Sequence, residues 1–183
     1  MSSEERPDGL RYEPAFLTAG EEAELVGILE AMEFEEVRMR GQTARRTVRH
    51  FGLDYDYEHW KITPGEPLPD ALGWLRGRAA RLARAEPEEL AQTLVSRYPP
   101  GAGIGWHRDA PMFGVVVGVS LLSSCRMRFQ RGKGEARETF ALELEPRSAY
   151  VLAGSVRCRW QHSIPATQDL RYSLTFRTLK QPS

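Results

Sequence analysis

Apolar residues recur along the chain with two different periods, and the change of period divides it. Leu25, Ile28, Leu29 and Met32 follow one another at helical spacing. Thr18, three residues before Glu21, reads as a capping box, so the pattern predicts a helix over about 19–32. Leu72, Leu75, Ala79 and Leu82 share one face of a second helix from near Pro69 to Arg84, with Arg76, Arg78, Arg81 and Arg84 as its solvated surface. Pro87-Glu88-Glu89 opens a further short turn. Residues 43–60, rich in Thr, Val, Phe, Tyr and Trp, read as strand and loop, and the three prolines of 63–70 break structure. From Thr93 onward short strands are predicted at 93–98, 104–108, 114–122, 125–130, 138–144, 147–152, 157–162 and 171–178. Cys125, Met127 and Phe129 alternate with Arg126, Arg128 and Gln130, which gives that strand one wet face. Arg131-Gly132-Lys133-Gly134 has the composition of a hairpin turn. Short antiparallel strands in this number imply a sandwich or jelly roll. Helices followed by strands imply α+β, with the helices burying their apolar stripes on one face of a sheet.

Composition changes this picture little. The 183 residues suit one domain, and 41% hydrophobic with 27% charged is ordinary for a soluble protein. Lys plus Arg equals Asp plus Glu at 25 each, so net charge speaks neither for nor against a polyanionic partner. The local distribution says more: residues 37–53 carry Arg38, Arg40, Arg45, Arg46 and Arg49 and no acid. The polar first dozen residues read as mobile. Two cysteines, Cys125 and Cys158, make no disulfide framework and are expected to be reduced thiols. No apolar run approaches the ~20 residues that cross a bilayer, and the N-terminus lacks signal-peptide features. A cytoplasmic protein with no membrane association, acting as a monomer, is expected.

His107-Arg108-Asp109 places two ligand types at i and i+2, on the same side of a strand. With His162, inside another predicted strand, they make the two-histidine, one-carboxylate set of non-haem Fe(II) oxygenases, which leaves coordination positions open. A structural zinc site would want a fourth protein ligand. Arg171-Tyr-Ser-Leu-Thr-Phe-Arg177 has period 2: Tyr172, Leu174 and Phe176 on one face, Arg171, Ser173, Thr175 and Arg177 on the other. That second face is either the wet side of an edge strand or the lining of a barrel. An arginine in a barrel interior requires an anion, because an unpaired buried charge is costly, and a dicarboxylate would supply one.

Four segments in this order, Arg97-Tyr-Pro-Pro-Gly101, Gly105-Trp-His-Arg-Asp109, Arg157-Cys-Arg-Trp-Gln-His-Ser-Ile164 and Arg171-Tyr-Ser-Leu-Thr-Phe-Arg177, resemble the AlkB-like Fe(II)/2-oxoglutarate dioxygenases. The resemblance covers about residues 93–178, and more loosely 49–57. It implies a double-stranded β-helix (a jelly roll) within a single domain over 1–183. The mobile N-terminus would reach about residue 15, a nucleotide-recognition lid would span about 38–68, and the catalytic barrel about 93–179. The implied metal ligands are His107, Asp109 and His162, which are also the catalytic residues. The implied cosubstrate-binding residues are Arg171 on the far carboxylate of 2-oxoglutarate, Arg177 near the metal-side carboxylate, Tyr98 and Ser173. Ser96 stands where the family often carries asparagine. The implied cofactors are Fe(II), 2-oxoglutarate and O2, with ascorbate as the reductant in assays.

The implied reaction is oxidative dealkylation of N-methylated bases in DNA or RNA, as in DNA repair. Its substrate-binding candidates are Tyr55, Tyr57 and Trp160 for the base, and Arg45, Arg46 and Arg49 for phosphates. His50, Phe51 and Trp60 are further aromatic candidates, with ordinary core packing as the alternative for Phe51 and Trp60. Arg126, Arg128, Arg131 and Lys133 either extend a phosphate track or form a plain wet strand face. Trp106 is expected in the core, whereas Trp160 either walls the pocket or fills the barrel. Several DNA-repairing members carry an acid two residues after the metal aspartate, where this chain has Pro111, which offers neither charge nor backbone donor. A hydroxylase or demethylase of a protein or small molecule, and a cupin-like binding module without turnover, are the competing readings.

Overall fold

The computed structural model describes residues 5–39, 41–56, 59 and 61–181. Its elements in order are β1 (Leu10–Glu13), α1 (Ala19–Glu30), β2 (Glu35–Met39), β3 (Gln42–Phe51), β4 (Leu53–Asp56), β5 (Lys61–Pro64), α2 (Gly73–Ala83), β6 (Gln92–Tyr98), β7 (Ile104–His107), β8 (Phe113–Leu121), β9 (Cys125–Arg131), β10 (Glu138–Leu144), β11 (Ser148–Leu152), α3 (Gly154–Arg159), β12 (Gln161–Ile164) and β13 (Arg171–Leu179). Among the described residues they form a large sheet of order β1-β11-β8-β13-β6-β3-β2, a small sheet of order β10-β9-β12-β7, and a ribbon of β4 and β5. The two sheets face each other as a jelly roll, with its helices on the outside.

β13 shows why the sequence folds this way. It pairs antiparallel with β6 on one side and β8 on the other, so it is a central strand with two buried faces. Leu174 and Phe176 face outward, in one cluster with Val117 and Val119 of β8, Leu25 and Leu29 of α1, and Leu72, Leu75 and Ala79 near α2. Each such leucine contributes about 1.5–3 kcal/mol on burial, so this layer holds the helices more firmly than their intrinsic propensity does. The alternate residues of β13 turn inward, toward the small sheet. There Met127 and Phe129 of β9, with Leu142 and Leu144 of β10, close a second cluster.

α1 begins as its sequence predicts. Thr18 Oγ1 accepts from the Glu21 backbone N–H at 3.1 Å, and Glu21 returns the bond to the Thr18 N–H at 2.9 Å. Arg78 departs from the solvated surface expected of it. Both its terminal nitrogens donate to Glu21, at 2.8 Å each, and its guanidinium lies 4.9 Å from the Trp74 ring centroid, so it ties α2 to the cap of α1.

Three further expectations need correction. Residues 10–13 are not a free segment: they pair with β11, and Leu10 is buried. Gly9, at φ +85°, makes that pairing possible, because a Cβ there would lie 1.9 Å from the Ala153 carbonyl oxygen. Residues 157–162 are not one strand: α3 runs to Arg159 and β12 begins at Gln161. Gly154, at φ +51°, turns the chain out of β11 into that helix. In the expected 38–68 lid region, β3 belongs to the large sheet through its pairing with β6, and the β4–β5 ribbon alone stands apart.

The bonds from Arg78, and then the Thr18 N–H, pull the Glu21 carboxyl from 4.5 down to about 2. A carboxyl lowered in the fold adds stability that is complete above its unfolded value and vanishes as pH falls through the folded one. Glu21→Gln is therefore expected to melt below the wild type at neutral pH. The gap in Tm should close as pH is lowered from about 4.5 toward 2, followed by circular dichroism over the range in which both proteins fold.

Candidate active site

Strand register brings the two histidines together. His162 on β12 lies directly opposite His107 on β7, and their ring centroids are 4.3 Å apart. Asp109 follows β7 and is buried between the sheets. Its Oδ1 accepts from Arg177 Nη2 at 2.6 Å, while its Oδ2 lies 3.8 Å from His162 Nε2, too long for a hydrogen bond. Arg177, reaching in from β13, also donates to Gln92 Oε1 at 2.8 Å. Burial alone would raise the Asp109 carboxyl. Arg177, aided by His162, His107 and Arg157, outweighs that and holds it well below the usual carboxylate range. Burial lowers both imidazoles, His162 to about 4, so both are neutral at physiological pH. The Gly105 carbonyl, 2.8 Å from His107 Nδ1, can only accept, which fixes the proton on Nδ1 and leaves Nε2 as a ligand.

Two neutral imidazoles and one ionised carboxylate suit a divalent first-row ion. Among the described residues no three such side chains already stand at ligand spacing. Neighbouring ligands with bonds of about 2.1 Å at right angles lie about 3 Å apart, so His162 and Asp109 would close by less than about 1 Å to share an ion. The donor set therefore fits the metal, with a small movement.

The same cavity holds a buried guanidinium without an anion. Arg171 is 1% exposed; its Nε donates to Ser120 Oγ at 2.9 Å, its Nη1 has no partner, and no acidic side chain among the described residues pairs with it. Its guanidinium carbon lies 5.0 Å from the Tyr98 ring centroid. Tyr98, Ser173, Thr175 and Tyr150 line this cavity with His107, Asp109 and His162, and the void they enclose is about 50 Å³. An unpaired buried charge is expensive, so the fold stores a demand for a carboxylate here. The barrel-lining alternative for the Arg171–Arg177 face is thus the one the structure adopts.

Of the substrate-side candidates, the structure brings Arg46 and Tyr55 near this centre. Arg46 donates to Ser96 Oγ at 3.2 Å and lines the cavity, which gives Ser96 a local partner. Tyr55 packs edge-on against Phe113, at 6.3 Å between centroids, and lines a second cleft that opens beside Asp109. Arg45 reaches toward Gly101 and is exposed. Arg49 is placed apart: it pairs with Glu66 and stacks on Phe51, whose ring belongs to the helix-side cluster. Tyr57 and Trp60 lie outside the described residues. Trp160 fills the cluster beneath the small sheet, with Arg131 over its ring, and does not line the cavity. Trp106, expected in the core, is 39% exposed and carries Arg128 over its face at 5.2 Å. Arg131 is also bound by Glu138 through two hydrogen bonds, so the wet strand face is its environment.

Four contributors were not legible as site residues. Ser120 and Gln92 hold the two arginines, and only register reveals them. Tyr150 lies over Gly118, where a Cβ would meet the ring at 2.2–2.4 Å, and burial pushes its hydroxyl well above 10. Arg157 is buried and donates to the carbonyls of Gly114 at 2.9 Å, Ala110 at 2.7 Å and Phe113 at 2.6 Å. It thereby pins the loop that follows Asp109.

A jelly roll enclosing a two-histidine, one-carboxylate set beside a buried guanidinium has the layout of an oxygenase that takes a carboxylate cosubstrate. The chain matches the 2OG-Fe(II) oxygenase superfamily over residues 9–177, and belongs to it. Within that superfamily it is AlkB-like, being 30% identical over 167 residues to the alpha-ketoglutarate-dependent dioxygenase alkB homolog 7, mitochondrial, of Bos taurus, over 86% of this chain and 67% of that one, and the superfamily's cofactor and cosubstrates are Fe(II), 2-oxoglutarate and O2. The chain is 27% identical over 170 residues to a tRNA (carboxymethyluridine(34)-5-O)-methyltransferase, ALKBH8, of Macaca fascicularis, covering 86% of this chain and 24% of that one. The chain thus spans about a quarter of that relative's length. Among solved structures, OsALKBH1 superposes with a TM-score of 0.71 at 15% identity, over 94% of this chain and 97% of that one. A Pseudomonas putida prolyl-4-hydroxylase gives 0.66 at 14% identity, over 95% and 94%. These two share the fold.

Arg157→Met would strip three carbonyls of their donor. It is expected to destabilise the protein by on the order of 2–4 kcal/mol, read as a lower urea midpoint with an unchanged slope.

Proposed function

We propose that the protein removes alkyl groups oxidatively from N-methylated bases of a nucleic acid, DNA or RNA. The observation that carries this reading is the single cavity that faces His107, Asp109 and His162 toward the unmatched guanidinium of Arg171, beside a cleft walled by Tyr55 and Phe113. The first part suits a metal and a dicarboxylate. The second suits a planar ring turned out of a strand, held against aromatic surfaces with cations nearby for phosphate. The nucleic-acid names of its relatives support the same substrate class.

In this reading His107, Asp109 and His162 hold Fe(II), which supplies with O2 and 2-oxoglutarate the oxidation that hydroxylates the N-methyl carbon. One oxygen atom ends in succinate, released with CO2, and the other on the substrate. The N–CH2OH group then loses formaldehyde and leaves the N–H base. Arg171 binds the far carboxylate of 2-oxoglutarate, with Tyr98 and Ser173 lining its course. Arg177 and Gln92 orient the Asp109 carboxylate and keep it ionised. Tyr55 and Phe113 hold the base, and Arg45 and Arg46 stand where a phosphate backbone would pass. The β4–β5 ribbon is the covering element of the cleft, the part of the 38–68 region suited to a lid.

A second reading, hydroxylation or demethylation of a protein or small molecule, draws on Pro111, which brings no charge and no backbone donor to the cleft.

Incubation with methylated oligonucleotides should give equimolar succinate and formaldehyde above the uncoupled background. Succinate that rises with peptides or small amines, and with no methylated strand, would favour the second reading. His162→Ala is expected to abolish turnover with the fold intact by circular dichroism. Arg171→Met should raise the half-saturating 2-oxoglutarate concentration on the order of 10- to 100-fold, the loss of a charge-assisted pair. An unchanged requirement would place the anchor elsewhere.

A further inference from the structure

The cleft beside Asp109 has a one-sided chemistry. It holds about 880 Å³, and the charged side chains that line it among the described residues are Arg108, Arg157, Lys180 and Asp109. Asp109 is already committed to Arg177 at 2.6 Å. None of the three cations pairs with a carboxylate among the described residues. Arg157 is spent on backbone carbonyls, and Arg108 reaches only the Cys158 carbonyl, at 3.3 Å. A divalent cation and a dicarboxylate bound next door cancel each other, so loading the site leaves the cleft positive.

Among its hydrogen-bonding side chains donors predominate, with the Tyr55 hydroxyl and the Asp109 carboxylate as the groups that can accept. Arginine and lysine donate and cannot accept. Gln161 Oε1 accepts from Gln130 Nε2 at 3.0 Å, and its amide nitrogen brings two donors. Pro111, which also lines the cleft, adds no acceptor side chain.

We infer that the base this cleft takes is uncharged at neutral pH, as N1-methylguanine or N3-methyluracil is, and that bases cationic at that pH, such as N1-methyladenine and N3-methylcytosine, are rejected. This rests on the reading that the substrate is an N-methylated base. Two terms act in the same direction. Like charges repel across the cleft at separations within a Debye length, so the effect weakens as salt is added. The donors Arg108, Lys180 and Gln161 also find a keto oxygen on N1-methylguanine and N3-methyluracil but none on N1-methyladenine, whereas N3-methylcytosine keeps its O2 and is disfavoured by charge alone.

The test uses the full-length protein and otherwise identical single strands, each with one of the four bases. Binding is read by fluorescence anisotropy without iron, and turnover by formaldehyde release from the iron-loaded enzyme. The two neutral bases should bind more tightly and be turned over at least about tenfold faster in kcat/KM, a difference of about 1.4 kcal/mol. Arg108→Glu and Lys180→Glu should each narrow that gap several-fold, mostly by improving the cationic bases; both positions are exposed, and Arg108→Gln gives a milder check if either fails to fold. Equal or better handling of the cationic bases overturns the inference and leaves the dealkylase reading standing. So does a gap that charge reversal does not move, since shape would then set it. Failure to process any of the four strands, while uncoupled 2-oxoglutarate decay proceeds, overturns the dealkylase reading and this inference with it.

Discussion

The buried pair of Asp109 and Arg177 joins the two halves of the molecule. Asp109 follows a strand of the small sheet and Arg177 sits on the central strand of the large one, so their 2.6 Å contact spans the interior of the roll. Taking both charges out of water costs several kcal/mol per ion, repaid only by close geometry and by bonds to the remaining donors. Gln92 supplies one such bond, and the carboxylate stays ionised despite its burial. Everything the site does depends on this. An ionised carboxylate between two neutral imidazoles is a ligand set, whereas a protonated one would not be.

Much of the interior is apolar, and the two inward-facing arginines of β13 stand out in it. Arg171 Nη1 and Arg177 Nε are buried without partners. Folding alone gains nothing from such atoms, and a purely structural core would replace them with packed hydrophobic side chains. Their cluster marks where stability has been given up for binding. The outward face of the same strands, with Leu174 and Phe176 under the helices, supplies the compensating burial. One strand thus carries both sides of the exchange on alternate residues.

Much of this was legible from pattern. The cap at Thr18 and most of the strands after Thr93 follow from local periodicity and residue type, whereas the grouping of His107, Asp109, His162 and Arg171 drew on the family resemblance. Where reading failed, the reason was that period 2 does not tell which face of a sheet meets water. Trp106 left its expected core environment for that reason, since the small sheet's outer face is wet there, while Trp160, for which wall and filling were both open, fills the interior beside the end of a helix. Arg157 and Arg159 alternate as strand residues would, and the turn that made them helical lies at Gly154, a residue with no side chain to advertise it. Arg46 and Arg49 looked equivalent. Their odd separation in β3 sends one into the cavity and the other to the helix side. Tyr150, Ser120 and Gln92 carry no motif, because their roles come from partners far along the chain.

The contact between Gly118 and Tyr150 sets the depth of the cavity from a single position. The phenol lies flat on a backbone that tolerates no methyl, so the floor cannot be raised from the β8 side and can be lowered only from β11. A smaller residue at 150 would deepen the chamber near Arg171 without disturbing the ligand set. The enzyme thereby offers an engineering handle: a hole cut there would admit an enlarged diacid that unmodified oxygenases exclude, separating this protein's turnover from theirs in a mixture.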